Sequence, residues 1–153
     1  MPDALIDIEW RTAFVHLVQV GMAFLLAIPL GWERESARDA PGAGLRTFPL
    51  VAAGCCGYLL IGRSVFEGDE AHARILYGLM TGIGFIGGGA ILKTRSQVVG
   101  TATAAGIWNT GAIGAAVAWN RFEIALVLMV ISVITLHLGR FLKPLAHDHP
   151  ESR

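Results

Sequence analysis

The chain has 153 residues, of which 54% are hydrophobic and only 16% are charged, with twelve basic and twelve acidic side chains. A soluble domain carries about a quarter charged residues, so the composition indicates one domain whose surface faces a lipid bilayer. A formal net charge of zero leaves no global basic field, and we expect no nucleic-acid partner.

Five apolar segments, separated by short polar connections, predict an all-α protein, a polytopic bundle of about five transmembrane helices. We expect one transmembrane domain over residues 1–153, with spans at 12–31, 47–62, 74–92, 101–119 and 122–141 and a polar tail at 142–153. The second segment is slightly shorter than the roughly 20 residues of a usual span. Adjacent cysteines within it, Cys55 and Cys56, are interpreted as packing residues.

Charged residues flank the connection between the first two spans. Glu33, Arg34 and Glu35 follow the first span, and Arg46 and Thr47 lie at the start of the second. Such residues can simply mark the lipid boundary by extending their charged ends to water. Alternatively, Glu33 or Glu35 pairs with Arg46 and closes the cytoplasmic mouth of the bundle, because ionisable residues at a membrane edge are functional candidates. Both interpretations remain open from the residues alone.

The third segment is unusually rich in glycine. Each glycine would destabilise a helix in water by about 1 kcal/mol relative to alanine, whereas in lipid it lets two helices approach closely. We therefore predict that this helix is central and forms the core pair with the fourth. The predicted helix-packing residues are Gly78, Gly82, Gly84, Gly87, Gly88 and Gly89. The segment also matches a dinucleotide-binding glycine pattern, but no acidic residue follows about 20 positions later.

Other polar side chains lie within the predicted spans. Asn109, near the middle of the fourth span, needs a partner in hydrocarbon and serves either as structural glue or as a binding group. His16 and His137 could relay protons, although a hydrogen bond to a neighbour is the commoner role of a membrane histidine. Because no nucleophile–base set and no metal-ligand spacing occurs, we expect neither an enzyme nor a bound metal or cofactor.

The basic residues are distributed unevenly between the two predicted membrane sides. One side carries eight: Arg34, Arg38, Arg46, Lys93, Arg95, Arg140, Lys143 and Arg153. The other carries four: Arg11, Arg63, Arg74 and Arg121. The positive-inside rule therefore predicts a multi-pass membrane protein with its N-terminus outside and its C-terminus in the cytoplasm.

Four motifs, in order, give the chain a family resemblance. They are Gly-Trp-Glu-Arg-Glu at 31–35, Gly-Leu-Arg-Thr at 44–47, the glycine helix at 81–92 and Thr-Ala-Ala-Gly-Ile-Trp at 103–108. Together they resemble the membrane domain of the MgtC/SapB family over about residues 15–140. Relatives usually have histidine where this chain has Phe48. We expect the membrane domain alone, without the C-terminal soluble domain of virulence-type members.

The resemblance implies a bacterial inner-membrane protein whose relatives are linked to growth in low magnesium and to virulence. Such proteins are thought to modulate other membrane machines, including the proton-translocating ATP synthase. The leading hypothesis is therefore a protein that modulates magnesium-linked ion homeostasis by binding a membrane-protein partner. The hypothesis also allows a homo-oligomer. The alternative is a small ion transporter or channel that acts as an oligomer, with Glu33, Arg46 and Asn109 along its path.

Overall fold

A computed structural model describes residues 9–36, 43–93 and 98–142. The described chain contains five helices and one two-stranded antiparallel hairpin, in which Leu92 pairs with Val99 and Lys93 with Val98. The elements are α1 Trp10–Glu35, α2 Thr47–Val65, α3 Asp69–Gly89, β1 Leu92–Lys93, β2 Val98–Val99, α4 Thr101–Ala118 and α5 Phe122–Leu142. The predicted all-α membrane bundle is confirmed.

Three helices of the described ranges are long and apolar enough to cross a membrane by length and composition: α1, α2 and residues 122–139 of α5. In α3 and α4, glycine, alanine and threonine take the place of many larger apolar side chains. Membrane insertion of α3 and α4 therefore depends more on packing against their neighbours than on their own hydropathy.

The boundaries of α3 differ from the predicted span at both ends. The helix begins at Asp69, because Asp69 and Glu70 in its first turn interact favourably with the positive end of the helix dipole. It ends at Gly89, and the connection from there to α4 contains strands β1 and β2. Gly100 lies between β2 and α4, where a φ of 91° favours glycine and a Cβ atom would collide with the Ala90 carbonyl oxygen.

The central helix of the bundle is α4, which packs against all four other helices. Its small residues allow this close approach: a Cβ atom at Gly106 would lie 2.8 Å from Cε1 of Phe48. A Cβ atom at Gly114 would collide with the backbone carbonyl oxygen of Ala52 in α2. Around α4, the core contains the largest fully buried apolar side chains: Phe48, Leu30, Leu59, Ile107 and Ile113.

The prediction that α3 is the central helix is wrong for the single chain. Only Ile83 and Gly87 of its 21 residues are buried. Branched side chains of this helix, such as Ile83 and Ile75, face the core. Most of its glycines lie on the surface that faces away from the core. Glycine content predicts a close-contact face but not whether the contacting helix belongs to the same chain.

Several predicted features lie outside the described residues. The tail at 143–153 is one of them, as are the basic residues Arg38, Arg95, Lys143 and Arg153 on which the side assignment partly depends.

Candidate functional site

The interfacial cluster consists of Glu33, Arg34, Glu35, Arg46 and Thr47, at the end of α1 and the start of α2. Helix α1 continues to Glu35, so its three charged residues belong to the last helical turn. Neighbouring positions on a helix point about 100° apart, and these three side chains therefore face different parts of the bundle. Gly31 brings the two elements together, since a Cβ atom there would lie 2.9 Å from the Cα of Leu45.

Glu33 faces α5. Its Oε1 lies 3.0 Å from Nδ1 of His137, and the Glu33 side chain is only 16% exposed. The contact ties the end of α1 to the last part of α5. The predicted pair of Glu33 with Arg46 is therefore wrong, because Glu33 points toward α5 while Arg46 lies on the opposite, α3-facing side of α2.

Arg34 and Glu35 make two further contacts. The Nε of Arg34 donates a hydrogen bond of 2.5 Å to Oγ1 of Thr103, a buried residue in the first turn of α4. Glu35 accepts a hydrogen bond of 2.7 Å from the backbone N–H of Leu45. Arg34 thus holds α1 against the central helix, and Glu35 closes the connection between α1 and α2 without reaching Arg46.

Arg46 and Thr47 line a groove between α2 and α3, which we call the α2–α3 groove. Its volume is about 790 Å³. Among the described residues, the ion pairs are Arg74–Glu70, Arg121–Glu123 and His137–Glu33, so Arg46 has no carboxylate partner there. Thr47 is the first residue of α2.

Asn109 joins α4 to α5. Its Nδ2 donates a hydrogen bond of 2.5 Å to Oγ of Ser132, which in turn donates to the carbonyl oxygen of Leu128 at 2.6 Å. At the end of the bundle opposite the interfacial cluster, Nε2 of Gln19 donates to Oδ1 of Asn120 at 2.9 Å. These contacts favour the interpretation of Asn109 as structural glue.

The six predicted packing glycines fall into three groups within the single chain. Gly87 packs against α4, where a Cβ atom would lie 3.3 Å from the Ala104 carbonyl oxygen. Gly78 and Gly82 line the α2–α3 groove. Gly84, Gly88 and Gly89, like Gly78 and Gly82, have no atom within 4 Å of a Cβ position. Within the single chain, Gly87 is therefore the one of the six whose Cβ position meets another helix, and helix packing by the other five stays a prediction.

Sequence reasoning missed three partners in these contacts. Thr103 carried a signal, because it opens the fourth family motif and lies in the first turn of α4. For His137 the sequence allowed a proton relay or a hydrogen bond to a neighbour, but it could not identify Glu33 as the partner, which lies 104 positions away along the chain. Ser132 carried no signal, since one hydroxyl in an aliphatic helix is ordinary. Among the described residues, no group of three or more His, Cys, Asp or Glu side chains could hold a metal ion.

The fold and these contacts define a small polytopic helical membrane protein whose polar side chains link helices at both ends of the bundle. The sequence matches the MgtC family over residues 20–145, which is most of its length. The chain therefore belongs to the MgtC family, and the predicted resemblance is confirmed.

Individual relatives support this assignment. The chain is 33% identical to SrpB of Synechococcus elongatus over 128 residues, which cover 75% of the chain and 69% of SrpB. It is 30% identical to YhiD of Escherichia coli K12, a protein named as a candidate magnesium transporter, with 80% of the chain and 59% of YhiD covered. It is 39% identical to MgtC of Brucella abortus over 92 residues, which cover 60% of the chain and 37% of MgtC. No solved structure matches the chain.

Proposed function

We propose that this protein acts in the bacterial inner membrane as a non-enzymatic modulator of magnesium-linked ion homeostasis, through contact with another membrane protein. Membership of the MgtC family and the magnesium-related name of YhiD support the link to magnesium. The chain spans 59% of YhiD and 37% of the Brucella MgtC, so the activity of those whole proteins is carried over only as part of this proposal.

The observation that carries the proposal is the uncovered outer face of α3, formed by Tyr77, Thr81, Gly84 and Gly88. These residues lie three or four positions apart and therefore share one side of the helix. Tyr77 is 74% exposed, and neither Gly84 nor Gly88 has an atom within 4 Å of a Cβ position. Two glycines four residues apart suit close packing against a second transmembrane helix. The face is therefore suited to a partner that is not part of this chain.

The alternative is an ion transporter that acts as an oligomer, and the name of YhiD is what favours it. The interior of one chain offers little support for a path. The buried polar side chains of the described residues are Gln19, Thr103, Thr110 and Ser132, and each is hydrogen-bonded within the chain. The α2–α3 groove and the cavity between α3, α4 and α5 are lined mainly by apolar residues. A hydrated path would therefore need surfaces from several copies.

Flux and cross-linking together distinguish these two functions. Purified protein in liposomes should give no flux of Mg²⁺, K⁺ or H⁺ above that of empty liposomes. In cells, a cysteine at Gly88 should cross-link to another membrane protein, in a background where Cys55 and Cys56 are alanine. The matched control is a cysteine at Leu126, which is 51% exposed on α5. Robust flux would favour the transporter, and equal cross-linking at both positions would contradict a partner at α3.

The orientation forms part of the same proposal: N-terminus outside, C-terminus in the cytoplasm. It is supported by the eight-to-four asymmetry of basic residues in the sequence. In the same cysteine-free background, Ser36→Cys should resist an impermeant thiol reagent applied to intact cells, whereas Glu67→Cys, between α2 and α3, should react. The opposite labelling pattern would reverse the assignment.

A further inference from the structure

The α2–α3 groove is a long apolar cleft on the side of the bundle that faces the surrounding lipid. Its walls come from both helices, including Leu50, Val51 and Tyr58 of α2 and Ile75, Leu79 and Ile86 of α3. Three glycines, Gly54, Gly78 and Gly82, line it without side chains, and no atom lies within 4 Å of a Cβ position at any of them. Larger side chains at these three positions would fill the space between the two helices, whereas the glycines leave it open and concave.

The length of the groove corresponds to about one leaflet. On α2 it runs from Thr47 to Tyr58, eleven positions, and on α3 from Ile75 to Ile86, also eleven positions. At a rise of about 1.5 Å per residue, each wall is about 16 Å long. The hydrocarbon core of a bilayer is about 30 Å thick, so one leaflet contributes about 15 Å. An acyl chain that enters from the interface would fill the groove along its length.

The charge at one end of the groove suits an anionic head group. Arg46 lies at the end where α2 begins and has no carboxylate partner among the described residues. Thr47, the first residue of α2, lines the same end of the groove and supplies a hydroxyl group next to the guanidinium. No acidic side chain lines the groove. The surface thus combines an apolar trough of leaflet length with an anion-attracting end.

We propose that the α2–α3 groove is a binding site for an anionic phospholipid, with an acyl chain in the trough and the phosphate on Arg46. A second copy of the chain fits the same surface less well. A helix of the second copy would remove water from Arg46. In a symmetric dimer the groove residues of that copy contain no carboxylate that could pair with Arg46. The site is separate from the outer face of α3, so it can stand even where the proposed partner contact fails.

The test compares lipids and variants by native mass spectrometry of the purified chain. The protein is exchanged into detergent and titrated with phosphatidylglycerol or with zwitterionic phosphatidylcholine of the same acyl chains. The wild type should retain about one phosphatidylglycerol per chain, with at least roughly tenfold preference over phosphatidylcholine, since a bidentate guanidinium–phosphate contact is a strong hydrogen-bonded pair. Arg46→Gln should remove that preference. Lys93→Gln, an exposed cation before the hairpin turn, should keep it.

Two glycine variants test the trough independently of the charge. Gly82→Leu fills the groove and should reduce retention of both lipids, whereas Gly84→Leu, with equally open surroundings but outside the groove, should retain the wild-type level. Helix content by circular dichroism reports whether each variant is folded. If Gly82→Leu does not fold, the lipid preference of Arg46→Gln still tests the proposed site. Equal binding of the two lipids by the wild type would overturn the proposal. So would loss of a dimer in Gly82→Leu without any change in bound lipid, because a second copy would then occupy the groove.

Discussion

Helices α3 and α4 contain similar small residues but use them differently. In α4, Gly106, Gly111 and Gly114 each lie against a side chain or backbone atom of another helix. In α3, five of the six glycines from Gly78 to Gly89 have open space around them. The first helix uses its small residues to complete the fold of one chain. The second leaves a glycine-rich surface for something that the single chain does not supply.

The comparison shows that glycine in a membrane helix has two energetic consequences. A glycine at a helix–helix contact allows dispersion attraction along the whole interface. Replacing it with a larger residue forces the two backbones apart. An uncovered glycine adds nothing to the stability of the chain that carries it and provides space for lipid or a partner helix. The same substitution should therefore destabilise the chain in α4 and leave its stability nearly unchanged in α3.

The largest expected effect comes from Gly114→Leu in α4. Because the new side chain would meet the backbone carbonyl of Ala52, which cannot rotate away, we expect a loss of about 3 kcal/mol, the upper end for overpacking. The matched control is Gly88→Leu in α3, which should unfold in detergent at nearly the wild-type temperature. Similar losses in both variants would remove the distinction between the two helices.

A smaller effect is expected where α4 is held by α1. Thr103→Val keeps the shape of the side chain but removes the oxygen that accepts the Arg34 Nε–H bond. A half-buried guanidinium N–H left without a partner should destabilise the bundle by about 1–2 kcal/mol. Thermal unfolding in detergent measures this loss. The exposed Thr101→Val, at the start of the same helix, should leave the unfolding temperature unchanged.

The contact of α4 with α5 should contribute less again. Ser132→Ala removes the acceptor of the Asn109 amide, and hydrogen bonds between membrane helices contribute about 0.6 kcal/mol on average. Thr135→Ala is the matched control, because the Thr135 hydroxyl donates to the carbonyl oxygen of Ile131 in its own helix. Unfolding of Ser132→Ala indistinguishable from that of Thr135→Ala would show that the bond does not hold the two helices together.

The smallest expected effect is the energetic coupling between two residues on different sides of the interfacial cluster. Glu33 belongs to the side that contacts α5, and Arg46 to the side that faces α3. In a double-mutant cycle of Glu33→Gln and Arg46→Gln, the two changes in unfolding free energy should add, with a coupling of about 0.3–0.5 kcal/mol or less. A coupling well above that range would restore the pair that the sequence suggested.

Segment hydropathy was sufficient to predict the five helices, and only the ends needed correction. Helix α1 continues through Glu35, since charged residues at a helix end can remain helical while they reach the interface. The partner of Glu33 could not be predicted, because three successive residues of one turn face three directions and the sequence does not say which neighbour lies in each. The position of α3 escaped prediction for a related reason: composition identifies a face suited to contact but not the molecule that covers it.

Two polar contacts of α1 join it to the last part of the chain. Gln19 is bonded to Asn120 and Glu33 is paired with His137, partners that lie 101 and 104 positions further along. The two contacts are fourteen positions apart on α1, about 21 Å along the helix, so together they fix its position along its own axis. Neither contact can form before α4 has been synthesised and inserted, because both partners follow α4 in the chain. The first span of the chain is therefore held in place by residues that are synthesised late.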